Sequence, residues 1–305
     1  LSSNGIHFLP FFQPAKGDQE PVLTFKTQFG SLYSIDPISR RLANFNWLVS
    51  GQSGAGKSFF VNSVLLQSLS LNPRIYVVDI GGSYNKLTEF LGGRLIHVDA
   101  DTKFAIGPFF MAKTDDEKEE RRRRAHIQLI FHEMVRDEGR LPSVEERALI
   151  NEALEPLLTA SILPDHPITV IKESLERLNT EKAKRLSLLL KPWCHTEFFG
   201  SFVDHPHPLR IEEDIVTFDL KGLKEFPDLS RVLELVITSA VWAALKSRDR
   251  FTWVVLDEVA FSLLKTQPGF VQELISTCRK MFAGTVIVVQ GIETLTTNPA
   301  APSIL

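Results

Sequence analysis

Two cysteines in 305 residues, Cys194 and Cys278, are too few for a disulfide framework, so a reducing compartment is the default. Long apolar runs are also missing. The nearest, Leu233 to Leu245, is broken by Glu234, Thr238 and Ser239 and stops short of the roughly 18 residues a membrane-spanning helix needs. There is no excess of positive charge: the net charge is −3 and the pI is near 6.3, which removes any global field for attracting nucleic acid. Neither internal repeats nor low-complexity tracts occur, and no secretory leader is visible. The chain begins at Leu1 rather than methionine, from which an excised fragment is expected. What remains is ordinary globular composition, 44% hydrophobic and 23% charged, enough for one large domain or a core with an insertion.

The most informative stretch is GQSGAGKS at 51–58, which follows the apolar run Trp47-Leu48-Val49. Gly-x-x-x-x-Gly-Lys-Ser between a strand and a helix is the pattern of a loop that wraps polyphosphate. Glycines let backbone N–H groups curl around the oxygens, and the following helix presents its positive end to the same charge. The expected binding set is Gly51, Ser53, Gly54, Ala55, Gly56, Lys57, Ser58 and Phe59. Lys57 would bridge the terminal phosphates and the Ser58 hydroxyl would hold Mg2+.

A second acidic element is required, and FTWVVLDE at 251–258 supplies it as an apolar strand ending in two acids. Asp257 would orient the Mg2+ shell, and Glu258 would act on the attacking water. A chain that carries its own water activator suits ATP turnover better than a GTP switch. The absence of a guanine-reading Asn-Lys-x-Asp tetrapeptide agrees. The next strand, TVIVVQ at 285–290, ends in Gln290, a candidate γ-phosphate sensor. Asp79, closing the strand in IYVVDIGG, lies near the same sheet edge. Arg279 is a candidate finger reaching a neighbouring subunit's nucleotide.

Buried-type strands are expected at 46–50, 75–80, 95–98, 215–220, 253–256 and 285–289, with helices at about 57–71, 83–91, 229–247 and 270–282. Residues 22–35 read as two strands turning at Gly30-Ser31. This alternation indicates an open α/β sheet, mostly parallel and flanked by helices. From about 114 to 200 the strand signals vanish. Thr114-x-x-Glu117 and Ser143-x-x-Glu146 have the form of capping boxes, and apolar residues recur at helical spacing. The expected layout is therefore a hairpin and first half of the core at 1–113, an inserted all-helical subdomain at 114–200, and the second half at 201–305. Arg121–Arg124 fan around a helix and follow several acids, so a salt-bridged solvated face is expected there. Cys194-His195 and His205-Pro-His207-Pro lack the spacing of a metal site.

The series GQSGAGKS, IYVVDIGGSYNKLTEFLGG, FTWVVLDE and RKMFAGTVIVVQ, with an insert ending in FFGSFVD, resembles the TraC-type ATPases of conjugation and type IV secretion over nearly the whole chain. The resemblance implies the RecA-like motor domain of a P-loop NTPase of the additional-strand, catalytic-glutamate type, using ATP and Mg2+. It also implies a homo-oligomer, commonly a hexamer, working with other secretion components at the cytoplasmic face of the bacterial inner membrane. On that pattern Lys57 and Ser58 hold nucleotide and metal, Glu258 is catalytic and Gln290 is the sensor. The family often has Asn-Pro-Phe where this chain has Gly107-Pro108-Phe109, and terminal elements that complete the sheet are expected beyond Leu305. Two other functions use the same motor residues. One is a DNA-translocating pump or coupling protein similar to FtsK and HerA, which the acidic balance disfavours. The other is a scaffold whose ATP site regulates assembly.

Overall fold

The computed structural model describes residues 17–18, 21–27, 30–99, 105–109, 111, 113–206, 211–245 and 249–291. A hairpin of β1 (Leu23–Lys26) and β2 (Leu32–Ile35) is followed by β3 (Trp47–Ser50), α1 (Lys57–Gln67), β4 (Arg74–Asp79), α2 (Asn85–Phe90) and β5 (Arg94–His97). Four helices come next: α3 (Glu117–Met134), α4 (Val144–Thr159), α5 (Pro167–Arg177) and α6 (Glu181–Leu190), and then the single turn α7 (Gly200–Val203). The chain closes with β6 (Ile215–Asp219), α8 (Pro227–Ala244), β7 (Thr252–Asp257), α9 (Val259–Thr266), α10 (Pro268–Cys278) and β8 (Ala283–Val289). Parts of two sequence expectations, 28–29 in the hairpin and 246–247 in the long helix, lie outside the described residues.

Six strands form one parallel sheet in the order β3-β8-β7-β4-β6-β5. Every strand therefore ends at the same edge. Side chains alternate between two faces, as a period of two requires. Ile75, Val77, Trp253, Val255, Val286 and Val288 pack with Val61, Val64 and Leu65 of α1 on one face. Tyr76, Val78, Val254, Leu256 and Ile287 join α8–α10 and the helical segment on the other. Trp253 and Val255 are fully buried, and so are Val254 and Leu256. That two-sided burial explains why β7 reads as a continuous apolar run.

The strand starting at Asn46 begins instead at Trp47. Asn46 spends its side chain on fastening the sheet, accepting from Thr285 N at 3.0 Å and donating to Ile275 O at 3.1 Å. The cap expected at Thr114 shifts to Asp116, whose carboxylate accepts from Glu119 N at 2.9 Å. An ionised oxygen outcompetes a hydroxyl for the positive helix end. Ser143 and Glu146 form the reciprocal box as expected. An apolar stretch not assigned from sequence, 259–266, is α9.

The four arginines are ion-paired, but they are not all solvated. Arg121 pairs with Glu117 in solvent, while Arg123, 4% exposed, is bidentate to Glu120 and donates to Leu158 O at 2.8 Å. Arg123 holds the Glu120 carboxyl down at about 2. It thus ties α3 to the C-terminal end of α4, where carbonyls lack intrahelical donors. Gly107 is required by a close approach: a Cβ there would lie 1.9 Å from His205 O, so a residue with a side chain could not occupy this backbone position unchanged.

His126 on α3 packs against Trp242 and Phe270, with ring centroids 4.8 and 5.5 Å away. Neither ring nitrogen has a hydrogen-bond partner among the described residues. Burial, with a smaller contribution from Arg122, pushes its pKa down to about 4, and burial acts the same way on His132. The folded state keeps His126 neutral while the unfolded chain takes up a proton near pH 6.5. Stability is therefore expected to fall as pH drops from 6.5 towards 4, by on the order of 3 kcal/mol from His126. Melting of His126→Phe at pH 7.5 and 5 tests this. The variant should melt close to wild type at pH 7.5 and lose less on acidification; an unchanged pH dependence would contradict it.

Candidate functional site

The sheet's C-terminal edge collects the polar residues that the sequence singles out. The strand register aligns Asp79 with Asp219 on one side and with Asp257 on the other, giving three carboxylates in a row across β6, β4 and β7. All three are at most 5% exposed. Such a row survives because each member has donors. Asp79 accepts from Gly81 N at 2.8 Å and Ser83 N at 2.6 Å. Asp219 accepts from Asn85 Nδ2 at 2.7 Å and Lys221 N at 3.0 Å, and pairs with His97 Nδ1 at 3.2 Å. Burial, opposed by the two N–H donors, pushes Asp79 up to about 6.

Asp257 is held by hydroxyls. Ser58 Oγ and Tyr84 Oη both donate to its Oδ2, each at 2.9 Å. No hydrogen bond among the described residues reaches Oδ1. Burial raises the Asp257 pKa, and the Ser58 and Tyr84 donors pull it down.

The phosphate loop lies beside this carboxylate. Gly54 and Gly56 have φ of 78° and 85°, a backbone conformation that costs other residues energy. A Cβ on either would meet nothing within 4 Å, so the loop opens onto free space. Gly51 N donates to Val289 O at 3.3 Å, which attaches the loop to β8. Ser53 and Ala55 are exposed, as is Phe59. Lys57 donates to Gln52 O at 3.1 Å and makes no ion pair among the described residues. With the first-turn N–H groups of α1, its ammonium forms a cationic cradle.

Lys57, Asp257, Glu258 and Gln290 line one cavity of about 310 Å³, together with Ile80, Ser262, Val288 and Val289. Gln290 Nε2 donates to Glu258 Oε1 at 3.3 Å. Glu258 has φ 61° and ψ −34°, a conformation costing about 1–3 kcal/mol for a non-glycine residue. It is the residue at which β7 turns into α9. The donor set fits a metal-bound triphosphate: an unpaired ammonium, loop N–H groups, a hydroxyl, and a carboxylate with one oxygen unengaged.

Arg279 does not join this group. It lies at the start of β8, the opposite edge of the sheet, where it donates to Ala43 O and sits 5.7 Å from the Phe45 ring centroid. Tyr84 is the member that sequence reasoning missed. Its only sequence cue is its place in the turn after Asp79, and its partner is 173 residues away.

A second polar cluster lies at the end of the helical segment. His166 and His195 stack with centroids 3.9 Å apart, near the fully buried Asp204. Asp204 accepts from Ile168 N, Thr169 N, Thr169 Oγ1 and His195 N, which engages its lone pairs in capping α5. His205 Nε2 hydrogen-bonds Ser201 O, and His207 lies outside the described residues.

Comparison with known proteins addresses the family and the fold. Over 204 residues the chain is 25% identical to protein TraC of Escherichia coli strain K12, an alignment covering 61% of this chain and 22% of TraC. The chain thus spans about a fifth of that relative's length. Its fold matches VirB4 of Thermoanaerobacter pseudethanolicus with a TM-score of 0.80 and 22% identity, over 94% of this chain and 82% of that one. The plasmid coupling protein TrwB in complex with the ATP analogue ADPNP matches with a TM-score of 0.56 and 17% identity, over 85% and 68%. The model of the TraG P-loop domain matches residues 33–302, and the chain belongs to that family.

Proposed function

We propose that the chain is the ATP-hydrolysing motor domain of a conjugation or type IV secretion ATPase, with Glu258 as its catalytic residue. The observation that carries this reading is the meeting of Lys57, Asp257, Glu258 and Gln290 around one cavity. Support also comes from TrwB, whose complexes hold ADPNP and, separately, ADP with Mg2+.

In this reading the loop N–H groups from Gly51 to Phe59 and the Lys57 ammonium bind and orient the phosphates. Ser58 and Asp257 would hold Mg2+, which when bound would supply positive charge to offset that developing on the phosphates. Glu258 takes a proton from the attacking water, and its strained backbone fixes the direction of approach. Gln290, already bonded to Glu258, senses whether the γ-phosphate is present. β8 separates the loop strand β3 from β7, which gives the motor its additional strand.

The helical segment 114–200 would be an appendage inserted between core halves at 1–113 and 201–305. The working form would be a homo-oligomer, commonly a hexamer, at the cytoplasmic face of the inner membrane with other secretion components. No helix among the described residues is long and apolar enough to cross a membrane, which is compatible with a peripheral position. For Arg279 to act as a finger in a neighbouring subunit, it would have to leave Ala43 O and the Phe45 ring. The coupling-protein reading is carried by the TrwB likeness and requires a basic track for DNA phosphates.

Lys57→Ala should abolish nucleotide binding and hydrolysis. Glu258→Gln should still bind ATP while hydrolysing it about 10²–10⁴-fold more slowly, as loss of a general base entails. Near-normal turnover in Glu258→Gln would refute the catalytic assignment. Turnover per chain measured against protein concentration should rise as subunits associate and be indifferent to added DNA. Stimulation by DNA that fades with salt would instead favour the coupling-protein reading.

A further inference from the structure

We propose that Tyr84 is a positioning residue for the magnesium site: its phenol pins one oxygen of Asp257 so that the other remains available to the metal shell. The inference rests on Asp257 being the metal-side carboxylate.

The phenol is buried, its residue 0% exposed, and a buried phenol needs a partner. Oδ2 of Asp257 is that partner, at 2.9 Å. The same oxygen accepts from Ser58, so two hydroxyls converge on Oδ2 while Oδ1 carries no hydrogen bond among the described residues. A carboxylate held at a single oxygen by one donor can still swing about that bond. A second donor, arriving from a different chain segment, removes the swing and stabilises the anion that a cation requires.

Tyr84 reaches this point because its own segment is fixed. Asp79 gathers the turn after β4 through Gly81 N and Ser83 N, and Asn62 Nδ2 of α1 donates to Ser83 O at 3.2 Å. The Tyr84 carbonyl accepts from both Thr88 N and Thr88 Oγ1, each at 3.0 Å. The register Asp79↔Asp257 then sets the end of that turn beside the end of β7. Asp79 on this account builds the turn and does not touch nucleotide. Ser58 is expected to give an oxygen lone pair to the metal when nucleotide binds while its hydrogen still faces Asp257. Tyr84 is the donor whose role does not change with the ligand.

The test uses Tyr84→Phe, which keeps the ring and deletes one oxygen. Binding of a fluorescent ATP analogue is followed in EDTA and across a Mg2+ titration, with Asp257→Asn and the double variant alongside. Tyr84→Phe should bind nucleotide as wild type does in EDTA. It should need roughly tenfold more Mg2+ to reach the tight-binding state, the loss expected for one hydrogen bond to a charged group. In steady-state hydrolysis the KM for Mg2+ should move more than kcat. In the Asp257→Asn background the same change should add nothing. Para-aminophenylalanine at position 84, which restores a donor, should recover the wild-type Mg2+ response and covers the case in which Tyr84→Phe folds poorly. If Asp257→Asn alters the Mg2+ response and Tyr84→Phe leaves it within twofold of wild type, the positioning role is overturned while the functional reading stands. If Asp257→Asn leaves that response unchanged, the metal assignment itself fails and the inference falls with it.

Discussion

A carboxylate taken out of water must be compensated, and Asp257 is where this fold is organised around that requirement. It is 3% exposed at the end of a strand buried on both faces. Its compensation comes from Ser58 on the first helix and Tyr84 after the second core strand. Asp257, more than a hundred residues from either donor, must therefore come into register with both before its buried carboxylate is compensated. The rest of the molecule can be seen as what holds them there: the parallel ladder β3-β8-β7-β4, the Asn46 clasp between strands, and the apolar faces packed against α1 and α8–α10.

The same edge carries a gradient of constraint. Asp79 and Asp219 are locked by local N–H groups and an amide, and so serve the turns that follow their strands. Asp257 keeps one oxygen uncommitted. Glu258 is held in a strained backbone conformation, and its side chain meets only a long hydrogen bond from Gln290 among the described residues. Strain stored at the residue that faces the cavity, between a rigid strand and a helix, suits the catalytic role proposed for Glu258. The helix α9, which follows Glu258, is capped at its far end by Gln267. The amide of Gln267 donates to buried Glu133 of α3, which also binds Arg136 and Arg231. The site and the helical segment thus share a continuous packed path.

Much of this was legible in sequence because it is local. The phosphate loop declares itself by glycine spacing, and β4, β7 and β8 by β-branched runs ending in polar residues. The Ser143 box is a four-residue signal. The mostly parallel sheet followed from strand–helix alternation. The strand order did not, because pairing depends on which faces match at a distance. The α9 helix was missed because only Glu258 separates it from β7, and eight residues give too little helical periodicity to read. Arg123 departs from a solvated face because the end of α4, 35 residues away, offers it a carbonyl. Tyr84 fell inside the helix expected at about 83–91, and nothing local marked its partner 173 residues away.

The most direct test of the account is the position of a single ion. A crystal of the chain grown with ADPNP and Mn2+ should give an anomalous peak in the cavity between Ser58 Oγ and Asp257, with Lys57 on the nucleotide's terminal phosphates and Glu258 facing the γ-phosphate. A nucleotide seated elsewhere, or a metal peak with neither Ser58 nor Asp257 beside it, would contradict the convergence on which the functional reading depends.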